Sequence, residues 1–261
     1  MIKAGGKFTK VAVANGIATL TLSRPERMNA LHPAAHYELS AIFDELPTHP
    51  EVRVVVIAAE GKAFCAGYDL KARLEDKVTD LPATGFAGIT MRDDYPLPLI
   101  AAVNGIAFGG GFEIALSSDL IIAAEEAVFA LPEAKIGWAA VTGGIQRLPR
   151  AIGIKRALGI ILTGRNVTAA EALNLGFVNE VVPQNELRAT AMRWAQQIAE
   201  CAPLATRCNK QVAYASMDKE NFAAMMDLDS YSTVNPMLNS EDAIEGTTAF
   251  VERRKPVWKG R

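Results

Sequence analysis

Residues that cross-link chains or bind metals are scarce in this sequence. Cys65, Cys201 and Cys208 are the three cysteines among 261 residues, an odd number without a CxxC pair, so neither a disulfide framework nor a thiolate zinc site is suggested. Histidine is equally sparse. His32 and His36 stand four apart on an expected helix, but no HExxH pattern or third ligand joins them, so a surface or satisfied core histidine is expected and no metal site. An excess of one charge is also missing: 27 Lys and Arg against 29 Asp and Glu give 27 − 29 = −2, with no global attraction to nucleic acid or anionic membrane. No stretch approaches the ~18 apolar residues of a membrane span, and the opening ten residues lack the apolar core of a signal peptide. A cytoplasmic protein without nucleic-acid or membrane partners is the expectation.

Apolar residues are plentiful, at 50% of the chain, enough for a sizeable core. Residues 8–13 and 17–22 flank Asn15-Gly16, a pair that tolerates positive φ and predicts a tight hairpin. Pro33 opens a helix whose Ala35, Leu39, Ile42, Phe43 and Leu46 form one apolar face, closed by Pro47 and Pro50. Residues 52–59, 99–103 and 120–124 are nearly continuous apolar runs, as expected of strands covered on both faces. Residues 71–95 read as a long loop with one helical piece. Beyond residue 142 the pattern turns helical: Thr168 and Glu171 make a capping box, Leu187, Ala191, Trp194, Ala195, Ile198 and Ala202 form a stripe, and Ser240 precedes a further helix. The fold class is α/β, with a helical C-terminal extension.

Two glycine-containing segments directly follow apolar strands: Lys62–Asp69 and Asn104–Glu113. Both are strand exits, where α/β sheets gather ligands. The triple glycine 109–111 leads into a helix whose free N–H groups would suit an oxyanion or a phosphate. Neither GxxxxGK[ST] nor GxGxxG is present, and the plain alternative is a turn packed close to a neighbouring strand. Glu113 and Glu133 both sit in apolar company, where desolvation raises a carboxyl pKa toward the range useful for acid–base work. The alternative for each is a first-turn acid favoured by the helix dipole.

The segments Arg24–Leu31, Phe64–Leu70, Ala102–Glu113, Ala130–Gly137, Gly143–Leu148 and Gly176–Glu180 together resemble the crotonase, or enoyl-CoA hydratase/isomerase, superfamily over nearly the whole chain. That resemblance implies a crotonase-like spiral of repeated ββα units in residues 1–195. Residues 196–261 would be a helical trimerisation region, giving a homotrimer or a dimer of trimers. It implies an acyl-CoA substrate, with Glu113 and Glu133 adding or removing water across the α,β double bond. The N–H groups of Ala66 and Gly110 would hold the thioester carbonyl, and no cofactor would be needed, CoA being part of the substrate. Met28, Ala30, Tyr68, Asp69, Leu70, Gly109, Pro132, Trp138 and Val141 would line the substrate path, with Arg27 and Lys71 as partners for phosphate. Phe129–Lys135 and the ending from Ser240 look most like members whose acyl group carries a trimethylammonium. Tyr68, Trp138, Tyr95 and Phe86 are aromatic candidates for it. Alternatives are a Δ3–Δ2 isomerase or a non-catalytic acyl-CoA-binding protein.

Overall fold

Asn15 and Gly16 both take positive φ, 53° and 80°, and the turn they make joins β1 (Thr9–Ala14) antiparallel to β2 (Ile17–Leu22). The computed structural model describes residues 6–76 and 80–261. Part of the expected loop 71–95, residues 77–79, therefore lies outside the described residues, as do residues 1–5 of the chain's opening.

From β2 onward the chain lays down pairs of strands that go to two different sheets. β3 (Val54–Ala59), β5 (Leu99–Val103), β7 (Leu120–Ala124) and β10 (Glu180–Val182) extend β2 in parallel, giving a six-stranded sheet of order β1-β2-β3-β5-β7-β10. Their short successors β4 (Ala63–Cys65), β6 (Ile106–Phe108) and β8 (Val128–Ala130) pair parallel in a second sheet, closed by the antiparallel β9 (Val167–Thr168). Each pair is followed by helical chain, so the spiral of ββα units is present. Backbone groups in strands buried on both faces pair with neighbouring strands, which explains the unalternating apolar runs.

α1 (Pro33–Glu45) buries the expected face, and Leu46 directly after it is also buried. His32 is its N-cap. His36 is fully buried; its Nδ1 accepts the Ala87 N–H at 3.0 Å, and burial pushes its pKa down to about 4. It is a neutral core histidine. The helical piece expected in 71–95 is α2 (Leu70–Asp76), and α3 (Gly110–Ser117) follows β6. Next come α4 (Gly144–Ile152), α5 (Ile154–Ile161) and α6 (Ala169–Leu175), the last capped by Thr168, which accepts the Glu171 N–H. The Glu171 carboxylate turns to Arg165 instead of closing the box.

α7 (Leu187–Ala199) lays Leu187, Ala191, Ala195 and Ala199 on Val54, Val56, Ile100 and Ile122 of the six-stranded sheet. The expected boundary at 195/196 thus falls inside a helix that belongs to the core. Beyond it come α8 (Pro203–Ser216), α9 (Phe222–Met225), α10 (Val234–Leu238) and α11 (Glu241–Glu252); α8 and α10 build a separate small cluster around Cys208, Tyr231 and Val234. The buried Asp242 carboxylate accepts the Lys259 and Gly260 N–H groups and pins the C-terminal tail.

Candidate active site

The exits of β4 and β6 touch. A Cβ on Gly67 would lie 2.8 Å from the Phe108 carbonyl oxygen and 3.2 Å from the Gly110 nitrogen, and Gly67 has a φ of 92°. Gly111 is tighter still, since a Cβ there would meet the Cys65 carbonyl oxygen at 2.0 Å. Glycine therefore serves close backbone approach and also brings two exits onto one point. The Gly110 N–H lies in the first turn of α3, where no intrahelical acceptor exists and the positive end of the helix dipole is exposed. Phe86 covers its Cα: a Cβ on Gly110 would come 2.4 Å from the Phe86 Cζ.

One expected donor is committed elsewhere. The Ala66 N–H donates to the Met28 carbonyl at 3.0 Å, where the turn of residues 28–29, both at positive φ, packs against the loop. Two residues on, Tyr68 forms a parallel bridge with Leu31, through Leu31 N–H to Gly67 O and Asp69 N–H to Leu31 O, both 2.8 Å. In such a bridge the peptide N–H of the middle residue turns away from the partner strand. The Tyr68 amide is thus the one in this loop turned from residue 31, next in the chain to the Gly67 that meets Gly110.

A cavity of about 460 Å³ opens at this junction. Of the expected residues, Glu113, Glu133, Ala66, Gly109, Gly110, Tyr68, Leu70, Pro132, Trp138 and Val141 line it. Met28, Ala30 and Asp69 do not. Met28 is 41% exposed with a φ of 51°, and Ala30 is buried with its carbonyl on Arg24. Asp69 is structural: it accepts the Ala72 N–H at the start of α2 and pairs with Arg24 at 2.8 Å. Burial opposes its ionisation, but these two donors outweigh it and hold the carboxyl below its ordinary range. Arg27 is exposed, and Lys71 is exposed and pairs with Glu75. Tyr95 is buried against Phe43 and lines no part of the cavity. Sequence reading missed Arg73, Leu81, Ile136, Ala139, Ala140 and Thr142 as lining residues. Only the Arg73 position, three after Leu70 on one helix face, carried a local signal.

The two glutamates differ sharply. Both oxygens of the buried Glu113 carboxylate are held, one by the Thr142 hydroxyl and one by the Gly144 N–H at 2.9 Å. Burial raises its pKa while these donors pull it back. Glu133 has a buried Oε2 without any hydrogen-bond partner, and its Oε1 lies so close to Gly109 that a Cβ there would be 2.8 Å away. Burial pushes its pKa up to about 7, its own backbone N–H opposes this, and the Glu113 charge adds to it. The site therefore holds one oriented carboxylate and one carboxyl that keeps a proton near neutrality.

Comparison with known proteins places this site in a family. The sequence model described as enoyl-CoA hydratase/isomerase matches residues 12–261. The chain belongs to this family. Carnitinyl-CoA dehydratase of Salmonella enteritidis is 44% identical over 253 residues, covering 94% of this chain and 95% of that protein. The Citrobacter koseri protein of the same name is 43% identical over 250 residues, with the same coverage. Among solved structures, enoyl-CoA hydratase from Mycobacterium tuberculosis aligns with a TM-score of 0.91 at 35% identity, covering 97% of this chain and 99% of that one. That from Bacillus anthracis gives 0.91 at 34%, covering 98% and 100%. This family member carries its two glutamates and its touching glycine loops in a single cavity. Among the described residues no group of three or more potential ligands forms a metal site, and no helix is long and apolar enough to cross a membrane.

Proposed function

We propose that this chain hydrates the α,β double bond of an enoyl-CoA thioester and catalyses the reverse dehydration. The observation that carries the reading is the proton-retaining Glu133, its buried Oε2 without a partner, beside the doubly anchored Glu113 at the mouth of a helix N-terminus. The N–H groups of Gly110 and Tyr68, rather than Ala66, hold the thioester carbonyl oxygen, and charge develops on that oxygen as the enolate forms. One such donor contributes about 3 kcal/mol. Glu113 takes a proton from water as the water oxygen bonds to Cβ, and the Glu133 carboxyl gives its proton to Cα. Both glutamates then exchange protons with solvent. Dehydration runs the same steps backward, with Glu113 protonating the departing hydroxyl and Glu133 removing the Cα proton. No metal or redox group takes part.

The first test is loss of enoyl-thioester absorbance with crotonyl-CoA, together with incorporation of labelled water oxygen at Cβ. A shifted double bond without label would instead establish isomerase chemistry. Binding without turnover would establish an acyl-CoA-binding role. The similarity to carnitinyl-CoA dehydratases makes a trimethylammonium-bearing enoyl thioester the first substrate to try after crotonyl-CoA. We also propose a homotrimeric assembly, or a dimer of trimers. The C-terminal helices expose Phe222, Ile244, Phe250 and Val251 at 73%, 71%, 85% and 75%, more apolar surface than a lone chain ordinarily leaves in water. Three free cysteines accord with the reducing cytoplasm.

A further inference from the structure

One wall of the cavity is aromatic, and a cation is already seated on it. The Arg73 guanidinium lies 3.7 Å from the Trp138 ring centroid, within van der Waals contact. Tyr68 stands edge-on to Trp138 at 6.4 Å and is also 6.4 Å from Phe86, and all four side chains line the cavity. Arg73 and Trp138 are both half-buried. None of the ion pairs among the described side chains involves Arg73, whereas Arg24, Arg92 and Arg254 are each paired. Its guanidinium rests on the face of the indole, a contact that another cation of similar size can make equally well.

We propose that the Trp138 face is the seat for a cationic group on the acyl chain, and that Arg73 occupies it until such a group displaces it. The inference rests on the reading of this cavity as the acyl-thioester site. Arg73 is then a specificity-determining residue. A trimethylammonium group gains the indole face only by expelling the guanidinium into solvent, so cationic acyl groups bind less tightly than the aromatic wall alone would allow. A neutral group of the same shape has no such competition for the indole's charge. Displacement is physically accessible because Arg73 sits half-exposed on the short helix α2, from which its long side chain can swing outward into solvent.

The test compares two thioesters of equal shape: crotonyl-CoA bearing a terminal trimethylammonium, and its carbon isostere bearing a tert-butyl group. For each protein, kcat/KM is measured on both, and the affinity of the saturated counterparts is measured by calorimetry. Arg73→Met and Arg73→Gln, both helix-compatible, should raise the cationic-to-neutral ratio about tenfold. Trp138→Leu should lower it about tenfold, and Trp138→Phe should fall between. An unchanged or lowered ratio in both Arg73 variants overturns the proposal. So does an equal loss on both thioesters, which would place Arg73 on the phosphates of CoA. If neither enoyl thioester is hydrated by the parent protein, the hydratase reading fails. The calorimetric ratio then still decides whether Trp138 and Arg73 read charge.

Discussion

At the scale of single residues, the site depends on giving two like acids different surroundings. Glu113 receives two donors, whereas Glu133 has only its own backbone N–H and a buried Oε2 without a partner, so the proton of the pair resides on Glu133 below about pH 7. Hydration needs that proton; kcat/KM for hydration should therefore fall as pH rises through about 7, and dehydration should fall as pH drops through it. Stopped assays in both directions check the crossing. Glu133→Gln should lower hydration by roughly 10²–10⁴-fold. It should also stabilise the fold in alkaline buffer, by the following linkage. A carboxyl whose folded pKa is raised from 4.5 to about 7 binds more protons folded than unfolded, so stability falls as pH rises between those values and the cost is complete above about 7. Thermal melts should show the variant ahead of the parent by on the order of 2 kcal/mol at pH 8 and level with it near pH 4. Thr142→Val removes one anchor of Glu113 and should cut hydration about tenfold, since a hydrogen bond to a charged group is worth about 1.5–3 kcal/mol. Neither Thr142 nor the missing partner of Glu133 was legible beforehand, because both depend on a loop folding over from a distant part of the chain.

At the scale of elements, the glycines of the two strand exits are spacers that fix a distance. Gly67→Ala brings a Cβ to 2.8 Å from the Phe108 carbonyl oxygen at a φ of 92°, so two penalties fall on one position. The variant should lose a few kcal/mol of stability and separate the Gly110 and Tyr68 amides. Denaturant unfolding and the turnover of whatever protein remains folded would show both losses, with kcat falling more than KM changes. The elements themselves were largely readable: the Asn15-Gly16 hairpin, the Pro33 helix, the Thr168 cap and three largely buried strands all follow from periodicity and turn chemistry. The short strands β4, β6 and β8 were not, because three residues are too few to show a period. Their existence is decided by pairing with one another in the second sheet.

At the scale of the whole molecule, α8 and α10 form their own small cluster, and the helices after Ala199 leave large apolar side chains outward. Phe250→Asp, at a position 85% exposed, costs the lone chain little but should break a trimer contact. Sedimentation should show the parent near three times the chain mass and the variant shifted toward one. A parent that sediments as a monomer would remove the assembly from the reading. The sequence alone determined the α/β class, the two glycine exits, the two glutamates and the family, because these rest on local periodicity and on residue types that only a few chemistries require. Tertiary structure decided that the Ala66 amide is spent on the Met28 carbonyl, which glutamate keeps its proton and which cation covers Trp138. Each of these depends on what lies within about 4 Å across the fold, and residues as far apart as Ala66 and Met28, or Glu113 and Thr142, become neighbours only once the spiral closes.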